Sequence, residues 1–185
     1  TLLMNAGASG LASVIIPMAK AFGLRVITSV ISDEKAKEIA HLGADVVVNT
    51  MKEEMSDVLR REAEAGHPLN IAIDCLGSEK VGECFPHVAY GCRWIMIATL
   101  AGDISPVNMR TMYIKNIRLI GSTLRSKSPE VKAQILHELV EKVWDKVASG
   151  EVRPTIYRVM PIEEANEAHA LLRDGVSAGK VVLTL

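Results

Sequence analysis

The sequence of 185 residues is poor in aromatic side chains and in net charge. Phe, Trp and Tyr make up 4% of the residues, and the formal net charge is −1 with both signs interspersed. No basic block marks a nucleic-acid surface and no Lys/Arg-rich amphipathic stretch marks a membrane surface, so we expect neither partner. The 49% of hydrophobic residues is enough for an ordinary globular core without disulfides or metals.

Cysteine is also scarce, and its spacing excludes the usual metal and redox motifs. No C-x-x-C pair and no Cys/His spacing suited to zinc occurs among Cys75, Cys84 and Cys92. No metal-binding spacing occurs either among the five histidines, His41, His67, His87, His137 and His169. We therefore predict no metal site, and cysteines that act as small hydrophobes in a reducing, cytoplasmic compartment.

The first eighteen residues carry no charge, yet their composition argues against a signal sequence or membrane span. They contain Asn5, Ser9, Ser13 and Pro17 and lack a basic leader. A buried parallel strand that leads into a buried helix has the same composition, and this is our prediction. Because the chain starts in a core strand and without methionine, we expect it to be a piece of a longer protein.

Strands and helices are predicted to alternate at short spacing through the first 150 residues. The predicted strands are Thr1–Asn5, Leu24–Ser29, Asp45–Val48, Asn70–Asp74, Arg93–Ile97 and Arg118–Ser122. The predicted helices between them are Gly10–Phe22, Asp33–Leu42, Glu53–Ala65 and Ser78–Val88. This order predicts an α/β fold, a doubly wound parallel six-stranded sheet of the Rossmann type with helices on both faces.

The chain changes character beyond the sixth strand. A helix with Ser128 as cap, Pro129 at its first position and Gly150 at its end carries one broad apolar stripe, which we interpret as core packing. The last 35 residues do not continue the βαβ rhythm. Their predicted elements are a strand over Val152–Tyr157, a helix over Ile162–Arg173 and a strand over Lys180–Leu185. We interpret residues 151–185 as a return into another domain or an edge of this one.

The turn after the first strand carries the best functional signal. Gly7 and Gly10 supply the small residues that let a backbone approach a pyrophosphate at a helix N-terminus, while Ser9 and Ala12 replace the other glycines of G-x-G-x-x-G. The position of this turn, between an apolar strand and a helix, predicts a dinucleotide site. A tight turn without a ligand is the alternative.

The end of the second strand decides which dinucleotide is expected. NAD-binding units usually carry an acid there for the ribose hydroxyls, but Thr28 to Ile31 contain none, and Asp33 comes later, inside the helix. Ser29, Ser32 and Lys35 could instead hold a 2′-phosphate, which favours NADP(H). The alternative makes Ser32 only a helix cap and Lys35 a solvated residue.

Two other catalytic patterns are absent. None of the three tyrosines is followed four residues later by lysine, as a Tyr-x-x-x-Lys pair requires, and no G-x-S-x-G nucleophile elbow occurs.

Five stretches, in the right order over the whole chain, carry a family resemblance. NAGASGLA, LGADVVVN, AIDCLGS, GSTLRSKSPE and AGKVVLTL together resemble the zinc-free quinone oxidoreductase branch of the medium-chain dehydrogenase/reductases, which includes zeta-crystallin-like NADPH:quinone reductases. Asn5 stands where that branch commonly has histidine, and Thr50 where it often has tyrosine. The resemblance implies a dinucleotide-binding domain over 1–150 and a C-terminal return, 151–185, into a GroES-like substrate domain that this chain otherwise lacks.

The resemblance also implies a set of cofactor-binding residues. The pyrophosphate is expected on the loop Ala8, Ser9, Gly10, Leu11 and Ala12, and the adenosine phosphate near Ser29, Ser32 and Lys35. Leu76 and Gly77 are expected against the ribose, and Lys180 near the cofactor. The nicotinamide is expected between Ala98, Thr99, Leu100 and Ser122, Thr123, Leu124. No catalytic residue is implied, because the pocket is built partly by the absent domain.

The activity implied is hydride transfer from NADPH to a quinone or other conjugated carbonyl acceptor. We expect this chain alone to bind NADPH weakly and turn over poorly, and to form a homodimer through the sixth strand. An enoyl-thioester reductase and a non-catalytic, crystallin-like nucleotide-binding protein are the alternatives. A zinc alcohol dehydrogenase fits the loop and the missing acid less well.

Overall fold

Six parallel strands form the central sheet of the computed structural model, which describes all 185 residues. The strands are β1 (Leu2–Met4), β2 (Val26–Val30), β3 (Val46–Asn49), β4 (Leu69–Asp74), β5 (Val88–Met96) and β6 (Arg118–Gly121). They lie in the order β3-β2-β1-β4-β5-β6. The order reverses between β1 and β4, and a crevice at the carboxyl ends of the strands is expected at that point. The predicted Rossmann sheet is confirmed.

The helices are α1 (Ala12–Ala21), α2 (Asp33–Glu38), α3 (Met55–Glu64), α4 (Val81–Cys84), α5 (Met109–Ile114), α6 (Pro129–Ala148) and α7 (Ala165–Arg173). Their ends follow local chemistry. The Ser32 and Ser128 side chains accept the predicted capping bonds from the backbone N–H groups of Lys35 and Val131. Gly23 and Gly43 adopt the left-handed conformation expected where a helix ends.

Alternate residues of the strands fill two cores, one on each face of the sheet. In β1, Leu3 belongs to the core under α3 and α4, whereas Leu2 and Met4 belong to the core under α1. All three cysteines are free and buried, as predicted, and burial raises the pKa of Cys84 to about 12. No helix combines the length and the apolarity that crossing a bilayer requires.

The C-terminal residues form a second, two-stranded parallel sheet of β7 (Ile156–Pro161) and β8 (Lys180–Thr184), joined through α7. The strand predicted over Val152–Tyr157 instead begins at Ile156. Pro154, which has no N–H group to donate, lies before it. This small sheet reaches the central domain at the turn after β1, where Ser9 and Gly179 form an isolated parallel bridge.

Two helix predictions need correction. The segment predicted as a helix over Ser78–Val88 contains only the single turn α4 and a 3₁₀ turn at Phe85–His87. Positive φ angles at its start and Pro86 within it, which lacks an N–H group, prevent a longer helix. Helix α5 was not predicted. Its local start signal is Asn108, whose side chain caps the helix by accepting from the Thr111 N–H.

The core packing predicted for α6 is wrong for most of its apolar stripe. Val143 is the only buried residue of the helix, and Leu136 and Trp144 are 60% and 54% exposed. Helix α6 contacts the domain along α1. The stripe is wider than that line of contact, so most of its apolar residues face outward.

Candidate functional site

The turn between β1 and α1 is hydrogen-bonded to the end of β2. The Gly7 N–H donates to the Ser29 carbonyl oxygen at 2.7 Å, and the Ala6 N–H donates to Ser29 Oγ at 3.0 Å. A Cβ atom on Gly7 would lie 2.5 Å from Thr28 Oγ1. Ala6 has a φ of 58°, a left-handed conformation that costs an alanine about 1 kcal/mol. The two hydrogen bonds hold the turn in this unfavourable conformation.

The same turn presents a free donor at the N-terminus of α1. Ser9 Oγ accepts from the Ala12 N–H at 3.1 Å, but the N–H group of Leu11 makes no hydrogen bond within the chain. An unpaired amide at the start of a ten-residue helix, reinforced by the helix dipole, binds anions such as a pyrophosphate.

Lys180 adds a positive charge at this point. A Cβ atom built on Gly10 would lie 2.5 Å from the Lys180 Cδ atom and 3.0 Å from its Nζ atom, so the lysine side chain lies directly over the glycine. The backbone holds it there, because the neighbouring Gly179 N–H donates to the Ala8 carbonyl oxygen at 3.0 Å. An anion on the turn would therefore meet the free Leu11 amide and an ammonium group.

A groove of about 470 Å³ runs from this turn across the carboxyl ends of the strands. Seven of the predicted cofactor residues line it: Ala8, Ser9, Gly10, Ser29, Lys35, Leu76 and Leu100. Its opposite wall comes from the end of α7 and the segment after it, through Leu172, Gly175, Ser177 and Gly179. The two walls meet where Gly179 pairs with the turn.

The polar residues after β2 are already engaged with other protein groups. The Ser29 hydroxyl, in a residue only 3% exposed, accepts from Ala6 and donates to Asn5 Oδ1. Ser32 is the helix cap. Lys35 Nζ donates to Glu38 Oε2 at 2.9 Å and to the Val176 carbonyl oxygen at 2.6 Å. Of the three, Lys35 alone brings a charge to the groove.

The first acid after the end of β2 is not free for a ribose. The Asp33 carboxylate accepts from Asn49 Nδ2 at 2.7 Å and pairs with Lys52. The hydrogen bond from Lys52 lowers the pKa of Asp33 below its usual range. No unpaired carboxylate therefore lies at the position that commonly selects NAD.

The loops after β4 and β5 pack against each other. Gly77 has a φ of 66°, and a Cβ atom there would overlap the Gly102 carbonyl oxygen. Thr99 lies beside the same glycine and lines a neighbouring cavity with it. The predicted residues after β6, Ser122, Thr123 and Leu124, are exposed and do not line the groove. The predicted nicotinamide end is thus the most open part of the site.

Sequence reasoning missed most of the second wall. The resemblance drew attention to Lys180, but no periodicity or motif marks Leu172, Gly175 or Ser177 as facing the first turn. It also missed Val30 and Ile31, which line the groove beside Ser29, whereas the resemblance had singled out Thr50, which lines it too. Position alone could have suggested Val30 and Ile31, because they lie where β2 ends at the crevice.

No group of three or more His, Cys, Asp or Glu side chains in the chain could hold a metal ion. The residues of this chain therefore do not by themselves form a zinc site.

Known proteins of similar sequence and fold identify the family. The family described as zinc-binding dehydrogenase matches residues 10–142. The chain is 28% identical over 180 residues to quinone oxidoreductase-like protein 2 of Mus musculus, covering 97% of this chain and 51% of that protein. It is also 28% identical over 185 residues to the NAD-dependent alcohol dehydrogenase of Sulfurisphaera tokodaii, with coverages of 99% and 50%.

A mycobacterial protein solved in complex with NADPH has the same fold, with a TM-score of 0.78, 24% identity, and coverage of 100% of this chain and 56% of the other. The chain spans about half the length of these relatives. By the family match over most of its length, the chain belongs to the zinc-binding dehydrogenase family of the medium-chain dehydrogenase/reductases, as a quinone oxidoreductase-like cofactor domain.

Proposed function

We propose that this chain is the cofactor-binding part of an NADPH-dependent oxidoreductase that reduces a quinone or another conjugated carbonyl compound. One observation carries the proposal: a groove at the strand-order reversal offers a free helix N-terminal amide and a lysine for a pyrophosphate. The bound dinucleotide supplies the hydride, and the chain's own residues bind and orient it. We place the protein in the zinc-free branch of its family on the resemblance carried by the five sequence stretches.

In this proposal each predicted group keeps a defined role. The turn from Ala8 to Ala12 and Lys180 hold the pyrophosphate. Leu76 and Gly77 contact the ribose. The nicotinamide lies between the residues after β5 and those after β6, where a substrate can reach it.

The preference for NADPH rests on Lys35. Its ammonium group lies beside the end of β2, where no free carboxylate would repel a 2′-phosphate. We infer that the phosphate would replace Glu38 as the partner of this lysine.

Lys35→Ala should therefore weaken NADPH binding by about tenfold and leave NADH binding unchanged, since a charged hydrogen bond is worth roughly 1.5–3 kcal/mol. Titrations followed by cofactor fluorescence measure both affinities, with Lys37→Ala, an exposed lysine on the same helix, as the matched control.

Equal weakening of NADPH and NADH by Lys35→Ala would contradict the specificity role. The absence of binding by either cofactor to the unchanged chain would instead favour a non-catalytic, crystallin-like protein. Steady-state assays with a quinone and with an enoyl thioester then separate the two reductase activities. We expect low turnover from residues 1–185, and full quinone reductase activity would contradict the proposal that a second domain completes the pocket.

We further propose that residues 151–185 belong with that substrate domain, and that the protein works in the cytoplasm, where its buried thiols stay reduced.

A homodimer through β6 completes the proposal. This strand is one of the two edges of the sheet, and Leu119 and Ile120 are 44% and 37% exposed. Pairing across a two-fold axis would satisfy the unpaired edge and cover both side chains. Sedimentation should give twice the chain mass of 20.1 kDa, and Leu119→Lys should give a monomer. A wild-type monomer at high concentration would contradict this interface.

A further inference from the structure

A buried carboxylate joins the strands beneath the groove. Asp74, the last residue of β4, is 0% exposed. Its Oδ1 atom accepts from the backbone N–H groups of Leu76 at 2.9 Å and Gly77 at 3.2 Å, and from Asn5 Nδ2 at 3.0 Å. Its Oδ2 atom accepts from Trp94 Nε1 at 3.0 Å. One side chain thereby connects the ends of β1 and β4 with the neighbouring strand β5.

The connections continue to the phosphate-binding turn. The amide oxygen of Asn5 accepts from the Ser29 hydroxyl at 3.2 Å, and that hydroxyl accepts from the Ala6 N–H. The chain of hydrogen bonds therefore runs from Trp94 through Asp74, Asn5 and Ser29 to the backbone beside Gly7. Every buried side-chain polar atom in it has a partner. Fully satisfied networks of this kind fix one arrangement of the groups they join.

The Asp74 carboxylate is suited to this place because all four of its partners are donors. An ionised carboxylate only accepts, whereas the isosteric asparagine brings an NH₂ group that must face at least one donor. The turn that it holds is also unfavourable by itself, because Ser78 has a φ angle of 93°, which a residue with a Cβ atom rarely adopts. Loss of the carboxylate would therefore release the loop after β4 first.

We propose that Asp74 is a positioning residue of the cofactor site, which holds the β1 and β4 loops in the arrangement that receives the dinucleotide. The proposal rests on the proposed function, because it presumes that the groove binds a nicotinamide dinucleotide. Asp74 does not line the groove. It acts through Leu76, Gly77 and, by way of Asn5 and Ser29, through the first turn.

Asp74→Asn tests the proposal against Asp45→Asn as the matched control. Asp45 also accepts from a backbone amide, that of Val26 at 2.7 Å, and from Lys20, but at the amino end of the sheet, remote from the groove. We expect Asp74→Asn to raise the dissociation constant of NADPH at least tenfold, and Asp45→Asn to leave it within twofold. Circular dichroism and urea unfolding establish that both variants fold. Asn5→Ala removes one donor and keeps the carboxylate, and it should raise the dissociation constant of NADPH about threefold. This variant replaces Asp74→Asn as the test if Asp74→Asn does not fold.

The indole N–H resonance of Trp94 gives a second readout that a general loss of stability would not move. In the unchanged chain, we expect this resonance to lie downfield, as for a hydrogen bond to a carboxylate, and to shift when NADPH is added. In Asp74→Asn, it should lie upfield and not respond at saturating NADPH. The exposed Trp144 supplies an internal reference that stays constant.

The outcomes distinguish this proposal from the function on which it rests. If the unchanged chain binds neither NADPH nor NADH, the proposed function fails. If it binds NADPH and Asp74→Asn binds equally well, or if Asp45→Asn weakens binding as much, the positioning role alone is overturned.

Discussion

Replacing Gly77 with alanine is expected to lower the free energy of unfolding by roughly 2–5 kcal/mol and to weaken cofactor binding more than tenfold. About 1–2 kcal/mol comes from a φ of 66°, and a further 1–3 kcal/mol from overlap of the new methyl group with the Gly102 carbonyl oxygen. Relief of that overlap must separate the loops after β4 and β5, which lie at one end of the proposed site. Urea unfolding and NADPH titration measure the two effects.

Gly23→Ala is the matched control, because Gly23 has a similar φ of 73° but no atom within 4 Å of the position of a Cβ. This substitution should lower the free energy of unfolding by about 1 kcal/mol through backbone conformation alone, and it should leave NADPH affinity unchanged. Equal losses of stability in the two variants would show that overlap with the Gly102 carbonyl oxygen does not contribute to the loss in Gly77→Ala.

Reversing the charge of Lys180 should have the largest effect on binding. Lys180→Glu is expected to weaken NADPH binding by about 100-fold, because it removes an ammonium–phosphate interaction and places a carboxylate over the same turn. NADH should be weakened equally, since both cofactors carry the pyrophosphate. This equality separates Lys180 from Lys35, whose effect is expected on NADPH only.

Lys180→Gln keeps much of the side-chain length but not the charge. Its NADPH affinity should lie between those of the unchanged chain and Lys180→Glu, with a loss of about tenfold. Raising the salt concentration should weaken binding to the unchanged chain more than binding to Lys180→Gln, because salt screens the exposed charge. Unchanged affinity in Lys180→Glu would place the pyrophosphate elsewhere.

Much of the fold could be predicted because its determinants are local. Ser32 and Ser128 mark helix starts, Gly23 and Gly43 mark helix ends, and each needs only its nearest neighbours to have its effect. The first turn was predictable for the same reason, as its small residues are needed wherever a backbone must approach a ligand.

The remaining features depend on contacts between distant residues. The apolar stripe of α6 has the same pattern whether another element covers it or not, so the sequence could not show that Trp144 is exposed. Ser29 was interpreted as a ligand for a phosphate, but a hydroxyl at a strand end can equally bond to a neighbouring strand, as it does with Asn5. The second wall of the groove depends on where the segment after α7 returns, and no local pattern specifies that.

The pairing of Ser9 with Gly179 joins positions that are 170 residues apart. During synthesis the turn after β1 emerges from the ribosome before the lysine that faces it. A nascent chain that has completed all six strands of the central sheet therefore still lacks one side of its groove.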